Sequence, residues 1–342
     1  KGNMKQWHHK ILNAEFSMPE GFVISDFIKS VIIFTVIIES IGALALYIAF
    51  TEAGVDHNFA VWSSIFHSIS SFCTAGFGLY NDSFEKFKDN TAVNIIISIL
   101  SLSGSIGFIV ITDLWNRLTR KTKQITLTTK IIFLVNVVLL TIGTILIYYF
   151  ELNHSHDIKT HILASFFQAM TALTTVGFNT IPIGNLTLSI CILLIFLMFV
   201  GASPSGTGGG VKSTTVTALT AIMWNRIRGS KNVTFLGKTI PLERLYLATS
   251  VFMLYSIVLA FSTFFLTFTD NFKFEQLLFE STSAIGTVGL SMGITGNLSA
   301  LGKINLITVM FIGRLGVLTF GLAILGNKSK KQKQIITEDL AV

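Results

Sequence analysis

The sequence has few charged residues, few prolines and almost no cysteine. Of its 342 residues, only 13% are Asp, Glu, Lys or Arg, four are proline and two are cysteine. So little charge excludes a disordered chain and an ordinary soluble globular protein. Cys73 and Cys191 are roughly a hundred residues apart in apolar surroundings, which excludes a disulfide framework and a CxxC metal site.

Apolar residues dominate instead. They make up 51% of the chain, with 30 Phe and 27 Gly, and the mean hydropathy is +0.67. A helix needs about 20 apolar residues to cross a bilayer. The pattern predicts an integral membrane protein whose six spans lie at residues 24–50, 92–115, 131–150, 186–200 continued by 214–224, 245–269 and 304–325. Between spans one and two, three and four, and five and six lies a shorter, more polar segment, which we expect to be re-entrant.

Positive charge predicts the orientation. Residues 116–130 contain five Lys or Arg and no acid, and residues 225–244 contain five with Glu243 alone against them. By the positive-inside rule, both termini are expected in the cytoplasm and the re-entrant segments on the outer side. Topology therefore accounts for the basic runs without nucleic acid. These runs contain Arg117, Arg120, Lys121, Lys123 and Lys130, then Arg226, Arg228, Lys231, Lys238 and Arg244, then Lys328, Lys330, Lys331 and Lys333 in the tail.

Three segments of the chain align without gaps: residues 66–77, 167–178 and 279–290. Each has a Phe, a polar residue directly after it, a small hydroxyl residue four positions after the Phe, and then Thr-x-Gly. The glycines are Gly76, Gly177 and Gly289, so the period is about a hundred residues. Each copy lies between two predicted spans. The repeating unit is therefore predicted to be helix, pore loop, helix.

The Thr-x-Gly segment is predicted to be non-helical backbone at membrane depth, which persists only when buried or lining a watery cavity. Glycine allows dihedral angles that turn successive carbonyls toward one axis, and rings of carbonyls can replace the water shell of a monovalent cation. The preceding short helix directs its negative end at the ion. A small-residue segment can also serve only for close helix packing. Three copies at matching places favour the pore.

At these residues the sequence resembles the Trk/Ktr/HKT superfamily of potassium transporters, and within it the Ktr-type bacterial membrane subunit. The three segments resemble the second, third and fourth filter strands, and the glycine run at 201–212 resembles the gating loop. The predicted filter strands are Cys73, Thr74, Ala75, Gly76 and Phe77; Thr174, Thr175, Val176, Gly177 and Phe178; and Gly286, Thr287, Val288, Gly289 and Leu290. The predicted gate contains Gly201, Ser203, Pro204, Gly206, Thr207, Gly208, Gly209, Gly210, Lys212 and Arg314.

The resemblance implies an all-α integral membrane protein with repeated helix–pore loop–helix units around a central pore, pseudo-fourfold in the complete protein. This chain contains three repeats, so the first is expected to precede Lys1. The predicted divisions are a cytoplasmic linker or amphipathic segment at 1–22, the second repeat at 23–120, the third at 121–229, the fourth at 230–326 and a cytoplasmic tail at 327–342. A homodimer on a cytosolic nucleotide-binding regulatory ring of the KtrA type is implied, in a bacterial cell membrane.

Two features of the predicted gate have alternative interpretations. The glycine run precedes Lys212-Ser213-Thr214, but Val211 separates its last glycine from Lys212, so the spacing of a nucleotide-binding P-loop fails. A purely structural kink remains the alternative to a gate. Arg314 lies within an apolar span, where a charge must face water, a partner or the pore. The resemblance implies a position just under the filter, where Arg314 is an electrostatic barrier to cations and holds the gating loop through its carbonyls. The alternative is a structural ion pair, for which Glu39 is one conceivable partner.

The sequence contains no recognisable catalytic or metal centre. His154, His156, Asp157 and His161 form its densest histidine cluster, but without regular ligand spacing, so solvated chain is favoured over a metal site. No Ser-His-Asp arrangement or paired intramembrane aspartates occur, so no enzyme is expected.

The predicted function is potassium uptake, with K+ as the transported ion and nucleotide (ATP or ADP) only on the regulatory partner; activation by Na+ stays open. The alternatives are a sodium-selective or sodium-coupled carrier and a non-conducting scaffold or sensor. Contact with anionic lipid is an equal alternative to partner docking for the basic loops around Arg120 and Arg228.

Overall fold

The computed structural model describes residues 24–316, except 121, 123, 152–156 and 231. The predicted segments at 1–22 and 327–342 lie outside these residues, as do His154 and His156 of the histidine cluster. The described chain consists of helices, loops and one two-stranded hairpin, so the predicted all-α fold class is confirmed.

Each unit begins with a long helix, and the next helix along the chain is the one that precedes a Thr-x-Gly segment. The first unit contains α1 (Ile24–Glu52), α2 (His57–Phe72), α3 (Thr91–Ser105) and α4 (Phe108–Leu118). The second contains α5 (Leu127–Phe150), α6 (Ile158–Thr174), α7 (Leu188–Val200) and α8 (Ser213–Ile227). A small antiparallel hairpin, β1 (Thr234–Phe235) with β2 (Lys238–Thr239), precedes the third unit, which contains α9 (Leu242–Thr269), α10 (Phe274–Ile285) and α11 (Ala300–Leu315). The boundaries of the predicted divisions stay predictions.

Three long helices have the length and apolarity to cross a membrane. These segments are Ile28–Glu52, Leu127–Phe150 and Leu242–Thr269, and their most apolar windows are only 11%, 28% and 22% buried. In α1, for example, Ile33 is 60% exposed and Leu44 is 64% exposed. Helices with such exposed apolar faces are stable in lipid rather than in water, and all their backbone groups bond within the helix.

Carboxylates at the ends of long helices fix the positions of later helices. Glu151 Oε2, directly after α5, accepts hydrogen bonds from the backbone N–H and hydroxyl of Thr187, which precedes α7. Asp270, directly after α9, accepts the corresponding two hydrogen bonds, from the backbone N–H and hydroxyl of Ser299, which precedes α11. Each carboxylate thus supplies acceptors at a helix start, where donors otherwise lack partners. The two units are therefore closed in the same way.

The prediction of one continuous span at 92–115 was wrong. Helices α3 and α4 meet at a bend of 92°. Gly107 at the bend has a φ of +94°, and a Cβ there would collide with the carbonyl oxygen of Pro204. A loop from the second unit therefore occupies the space that a straight helix would need, and the apolar pattern of the sequence continues across the break because both halves lie in the same apolar region.

The cores are shared between neighbouring units. One cluster of buried side chains from the first unit, including Phe50 and Phe72, also contains Val176 and Phe178 of the predicted filter strand of the second unit. The cluster of the second unit likewise contains Val288 and Leu290 of the predicted filter strand of the third unit. Because each unit packs around the next one's filter strand, the three strands are brought together by the main hydrophobic burial of the protein.

Candidate functional site

The three short helices α2, α6 and α10 end in the same backbone motif. Beyond each helix, a threonine N–H bonds to the carbonyl three residues earlier, and the next N–H bonds to the carbonyl five residues earlier. This is the Schellman ending, whose key residue adopts a left-handed conformation and is usually glycine. Here that residue is Thr74, Thr175 or Thr287, with φ of 48°, 60° and 50°.

Left-handed residues recur two positions later in each strand. Gly76, Gly177 and Gly289 have φ of 69°, 87° and 97°. A backbone that alternates between left-handed and ordinary residues turns successive carbonyls toward the same side, whereas an ordinary strand alternates them. The sequence predicted unusual dihedral angles for the glycines but gave no sign that the threonines share them. Such angles are costly for a residue with a branched side chain, so the surrounding contacts must hold them in place.

The glycines bring the strands into direct contact. A Cβ on Gly76 would collide with the carbonyl oxygen of Val176, and a Cβ on Gly177 would collide with that of Val288. The strands therefore lie side by side in chain order, with Gly76 and Gly177 each against the strand of the following unit. Gly177 in the middle strand is buried, whereas Ala75 and Gly289 on the outer two are exposed.

Side chains of the filter strands point away from their shared side. Val176, Phe178, Val288 and Leu290 are all at most 2% exposed and lie in the hydrophobic clusters. Phe77 differs, because it is 71% exposed. The surface that the strands can present to an ion is therefore made of backbone carbonyls and threonine hydroxyls, which are hard oxygen ligands suited to alkali cations.

The small hydroxyl residue of each repeat braces its strand from behind. Thr171 Oγ1 accepts a hydrogen bond from the N–H of Gly177 at 3.1 Å, and Ser283 Oγ accepts one from the N–H of Gly289 at 3.1 Å. In the first unit, Ser70 Oγ donates to the carbonyl of Phe77 at 2.8 Å. Fixing these amides fixes the direction of the neighbouring carbonyls.

Residues 201–212, the predicted gating loop, contact the inner ends of all three strands. Thr207 Oγ1 donates to the carbonyl of Phe72, 3.0 Å away. The N–H of Gly209 donates to Thr175 Oγ1 at 2.8 Å, and a Cβ on Gly209 would collide with the carbonyl oxygen of Gly286. The loop therefore lies across the ends of the short helices, where their carbonyl groups point.

The loop leaves the helix and returns to the same point. The N–H of Ala202 bonds to the carbonyl of Gly209 at 3.0 Å, and a Cβ on Gly201 would lie 2.6 Å from the Cα of Gly210. The ends of the excursion are thus in contact, as in a compact Ω-loop. A simple kink between α7 and α8 would need no such excursion. Whether the loop is a gate stays a prediction.

Two cationic side chains hold the loop by its carbonyls. Lys212 Nζ donates to the carbonyl of Gly208 at 2.7 Å, and Arg314 Nη1 donates to that of Thr207 at 2.9 Å. Glu39, the conceivable partner of Arg314, instead accepts a contact of 3.8 Å from Cys73 Sγ. Across residues 24–316, outside the gaps given above, Arg314 makes no ion pair with Glu39, so the structural ion-pair interpretation finds no support in the geometry.

Sequence reasoning missed Ser205. Its carbonyl accepts the N–H of Phe108 at 3.2 Å and its hydroxyl accepts the N–H of Ile109 at 3.3 Å, so a residue of the gating loop caps α4 of another unit. Only a Ser within a loop of small residues signals this role in the sequence, and nothing there indicates its partner. Gly104 was missed as well: a Cβ there would collide with the Phe72 carbonyl.

We expect Ser205→Ala to lower the apparent Tm of the purified protein, because a lost helix cap costs about 1 kcal/mol. The matched control is Ser103→Ala, since Ser103 is only partly buried and its hydroxyl donates only to the carbonyl of Ile99 in its own helix. Thermal unfolding in detergent measures both. Equal Tm values for the two variants would contradict the capping role.

Loop residues of the first unit form hydrogen bonds with the end of the predicted filter strand of the second unit. Asn179 follows Phe178; its N–H donates to Ser83 Oγ at 3.1 Å and its Nδ2 donates to Glu85 Oε1 at 2.8 Å. Burial raises the pKa of Glu85, and the hydrogen bond from Asn179 opposes that rise. The carboxyl group thus acts as an acceptor that fixes the strand end.

No cluster of three or more His, Cys, Asp or Glu residues with metal-site geometry occurs in the described part of the chain. His161 of the predicted histidine cluster donates from Nε2 to the backbone carbonyl of Glu151 at 2.9 Å, as a structural group would. The candidate site is therefore the set of strands and the loop beneath them.

Comparison with known proteins identifies related sequences and folds. Residues 15–333 match the profile of a family described as "TrkH: Cation transport protein". The chain is 35% identical over 301 residues to Ktr system potassium uptake protein B of Bacillus subtilis, covering 86% of this chain and 66% of that protein. It is 34% identical over 307 residues to the potassium/sodium uptake protein NtpJ of Enterococcus hirae, covering 87% and 67%.

A solved structure shares the fold. The potassium transporter TrkH from Vibrio parahaemolyticus matches with a TM-score of 0.73 and 20% sequence identity, over 93% of this chain and 69% of that one. The chain thus spans roughly two thirds of the length of these relatives.

Proposed function

Because this chain belongs to the TrkH family of cation transport proteins, we propose that it carries K+ across the cell membrane along the three filter strands, with residues 201–212 as the gate. The observation that carries the proposal is the alternation of left-handed residues in all three strands, Thr74 with Gly76, Thr175 with Gly177, and Thr287 with Gly289. Three copies of so costly a conformation, each braced from behind, fit a ring of oxygens for a dehydrated cation.

The loop beneath the strands supports a gated path. Its Thr207 and Gly209 contact all three inner ends, and Lys212 and Arg314 add positive charge at the same level. An ion leaving the strands toward the cytosol must displace the loop or pass beside it. Gate opening is therefore a movement of residues 201–212 that breaks a small number of hydrogen bonds.

The orientation and assembly also belong to this proposal. The basic ends of α4 and α8, with Arg117 and Arg226, lie on the cytosolic side by the positive-inside rule, and the short helices enter from outside. The protein works as a homodimer on a cytosolic nucleotide-binding regulatory ring. Arg228, stacked over Trp224 at 4.7 Å, is part of an exposed basic surface that such a ring can contact.

Uptake of Rb+, as a tracer for K+, and of Na+ into lipid vesicles containing the purified protein tests the function. We expect Rb+ uptake well above that of empty vesicles and above Na+ uptake. Equal uptake of both ions, or a preference for Na+, would favour the second candidate, a sodium-permeable carrier, which the name of the Enterococcus hirae relative suggests. Uptake of neither ion would favour the remaining alternative, a non-conducting scaffold or sensor.

A further inference from the structure

The polar residue that directly follows the Phe of each repeat occupies one equivalent position behind the filter strands. It is His67 in the first unit, Gln168 in the second and Glu280 in the third. His67 and Gln168 are fully buried, and Glu280 is 4% exposed. Three different polar groups at one buried position need a common explanation, because buried polar groups are stable only when hydrogen-bonded.

In two units this side chain accepts a hydrogen bond from the backbone amide at the equivalent position of its own unit. The N–H of Leu79 donates to His67 Nε2 at 3.2 Å, and the N–H of Met292 donates to Glu280 Oε1 at 3.0 Å. Leu79 and Met292 are each three residues after the filter glycine, Gly76 and Gly289. The bond therefore fixes the outer exit of the strand, one step beyond the carbonyls.

Glu280 makes the most extensive set of these contacts. Besides the Met292 amide, its carboxyl group accepts hydrogen bonds from the hydroxyls of Ser291 and Thr295, both at 2.6 Å. His67 is held in turn, since its Nδ1 lies 2.7 Å from the carbonyl of Ser63. This contact makes Nδ1 the donor and leaves Nε2 free to accept. Both side chains are thus acceptors aimed at an amide.

In the second unit the corresponding pair is Gln168 and Thr180, which lies three residues after Gly177. Both side-chain polar atoms of Gln168 and the hydroxyl of Thr180 are buried without a hydrogen-bond partner within the described ranges. Unpaired buried polar atoms are costly. The second unit therefore has a buried polar side chain at the equivalent position, but in the described part of the chain it makes no hydrogen bond like those of His67 and Glu280.

We propose that His67 and Glu280 are positioning residues that set the cation selectivity of the filter by holding its outer exit. The proposal rests on the proposed function, because it assigns these residues to the same strands. They do not touch the ion. They act on it through the amides of Leu79 and Met292, since a strand whose exit moves changes the spacing of its carbonyls.

The test compares Glu280→Leu, which removes the acceptor, with Glu280→Gln, which keeps an oxygen for the Met292 amide. Thr282→Val is the matched control, because Thr282 is equally buried on the same helix and its hydroxyl donates only to Leu278. In vesicles, we expect Glu280→Leu to lower the ratio of Rb+ to Na+ uptake about tenfold, as loss of a charge-assisted hydrogen bond predicts. Glu280→Gln and Thr282→Val should stay within about twofold of the parent protein.

Hydrogen–deuterium exchange gives a readout that does not need transport. Peptides covering residues 289–294 should exchange faster in Glu280→Leu than in the parent or in Thr282→Val. An unchanged uptake ratio and unchanged exchange in folded Glu280→Leu, or an equal loss of selectivity in Thr282→Val, would overturn the brace. If the parent protein moved neither ion while exchange rose in Glu280→Leu alone, the proposed function would fail and the brace of the strand would stand.

The first unit provides an independent arm. His67→Leu is expected to lower the Rb+ to Na+ ratio in the same direction, because it removes the acceptor of the Leu79 amide, whereas Gln168→Leu removes no hydrogen bond among the described residues and should not lower the ratio. A ratio equal to that of the parent in folded His67→Leu would overturn the assignment of His67.

Discussion

Gly177→Ala is expected to abolish selective Rb+ uptake in the vesicle assay. The added Cβ would collide with the carbonyl oxygen of Val288, and Gly177 has a φ of +87°. Relief requires movement of the backbone, because the obstacle is a carbonyl group rather than a flexible side chain. A shift of a few tenths of an ångström in that carbonyl is enough to alter an oxygen ring that must match the size of a dehydrated ion.

Gly296→Ala is the matched control for this substitution. Gly296 lies in the loop beyond the third strand, and an added Cβ there meets nothing within 4 Å. It should transport like the parent protein. Wild-type selectivity in a correctly folded Gly177→Ala protein would refute the assignment of the strand to the filter.

Arg314→Gln is expected to raise the rate of Rb+ uptake at least tenfold. The charge lies at the level of the gating loop and holds it through the Thr207 carbonyl. A cation passing at about 4 Å, at an effective dielectric constant of about 20, is opposed by about 4 kcal/mol. Glutamine removes this repulsion and weakens the hold on the loop, so both effects act in the same direction.

Lys303→Gln provides the control, because Lys303 is on the same helix and also donates to a loop carbonyl, that of Gly296, but lies at the other end. Its uptake rate should not change. If Arg314→Gln failed to fold and a second substitution at Glu39 restored folding, the ion-pair interpretation would replace the barrier. Unchanged uptake by a folded Arg314→Gln protein would also exclude the barrier.

The repeat pattern made the overall arrangement predictable. Each Thr-x-Gly segment follows a helix that is shorter than the long helix before it. Membership of a cation-transport family confirms both the membrane class and the exclusion of an enzyme. Apolar length and internal repetition are local properties, so a single sequence displays them. The assignments of individual residues to filter and gate remain predictions that the experiments above address.

What the sequence did not reveal depends on contacts between units. The bend at Gly107 arises from a loop roughly a hundred residues away, and the cap that Ser205 supplies to α4 has the same origin. The left-handed threonines were equally hidden, because their conformation follows from the helix ending and because Thr74 and Thr175 contact the distant loop at residues 201–212. Hydrophobic periodicity carries no information about such distant partners.

The contacts of Gly76 and Gly177 with the following unit have a consequence for biosynthesis. Gly76 meets its neighbour at Val176 and Gly177 meets its neighbour at Val288, so these two strands are translated before the strand that each of them packs against. A ribosome extends the chain by about 5–20 residues per second, so each of the two strands waits for seconds before its neighbour is made. Arg314, which holds the loop beneath the strands, is made later than any of these residues. We therefore expect the proposed ion path to be completed only late in synthesis, so that the membrane is protected from leakage while insertion is still in progress.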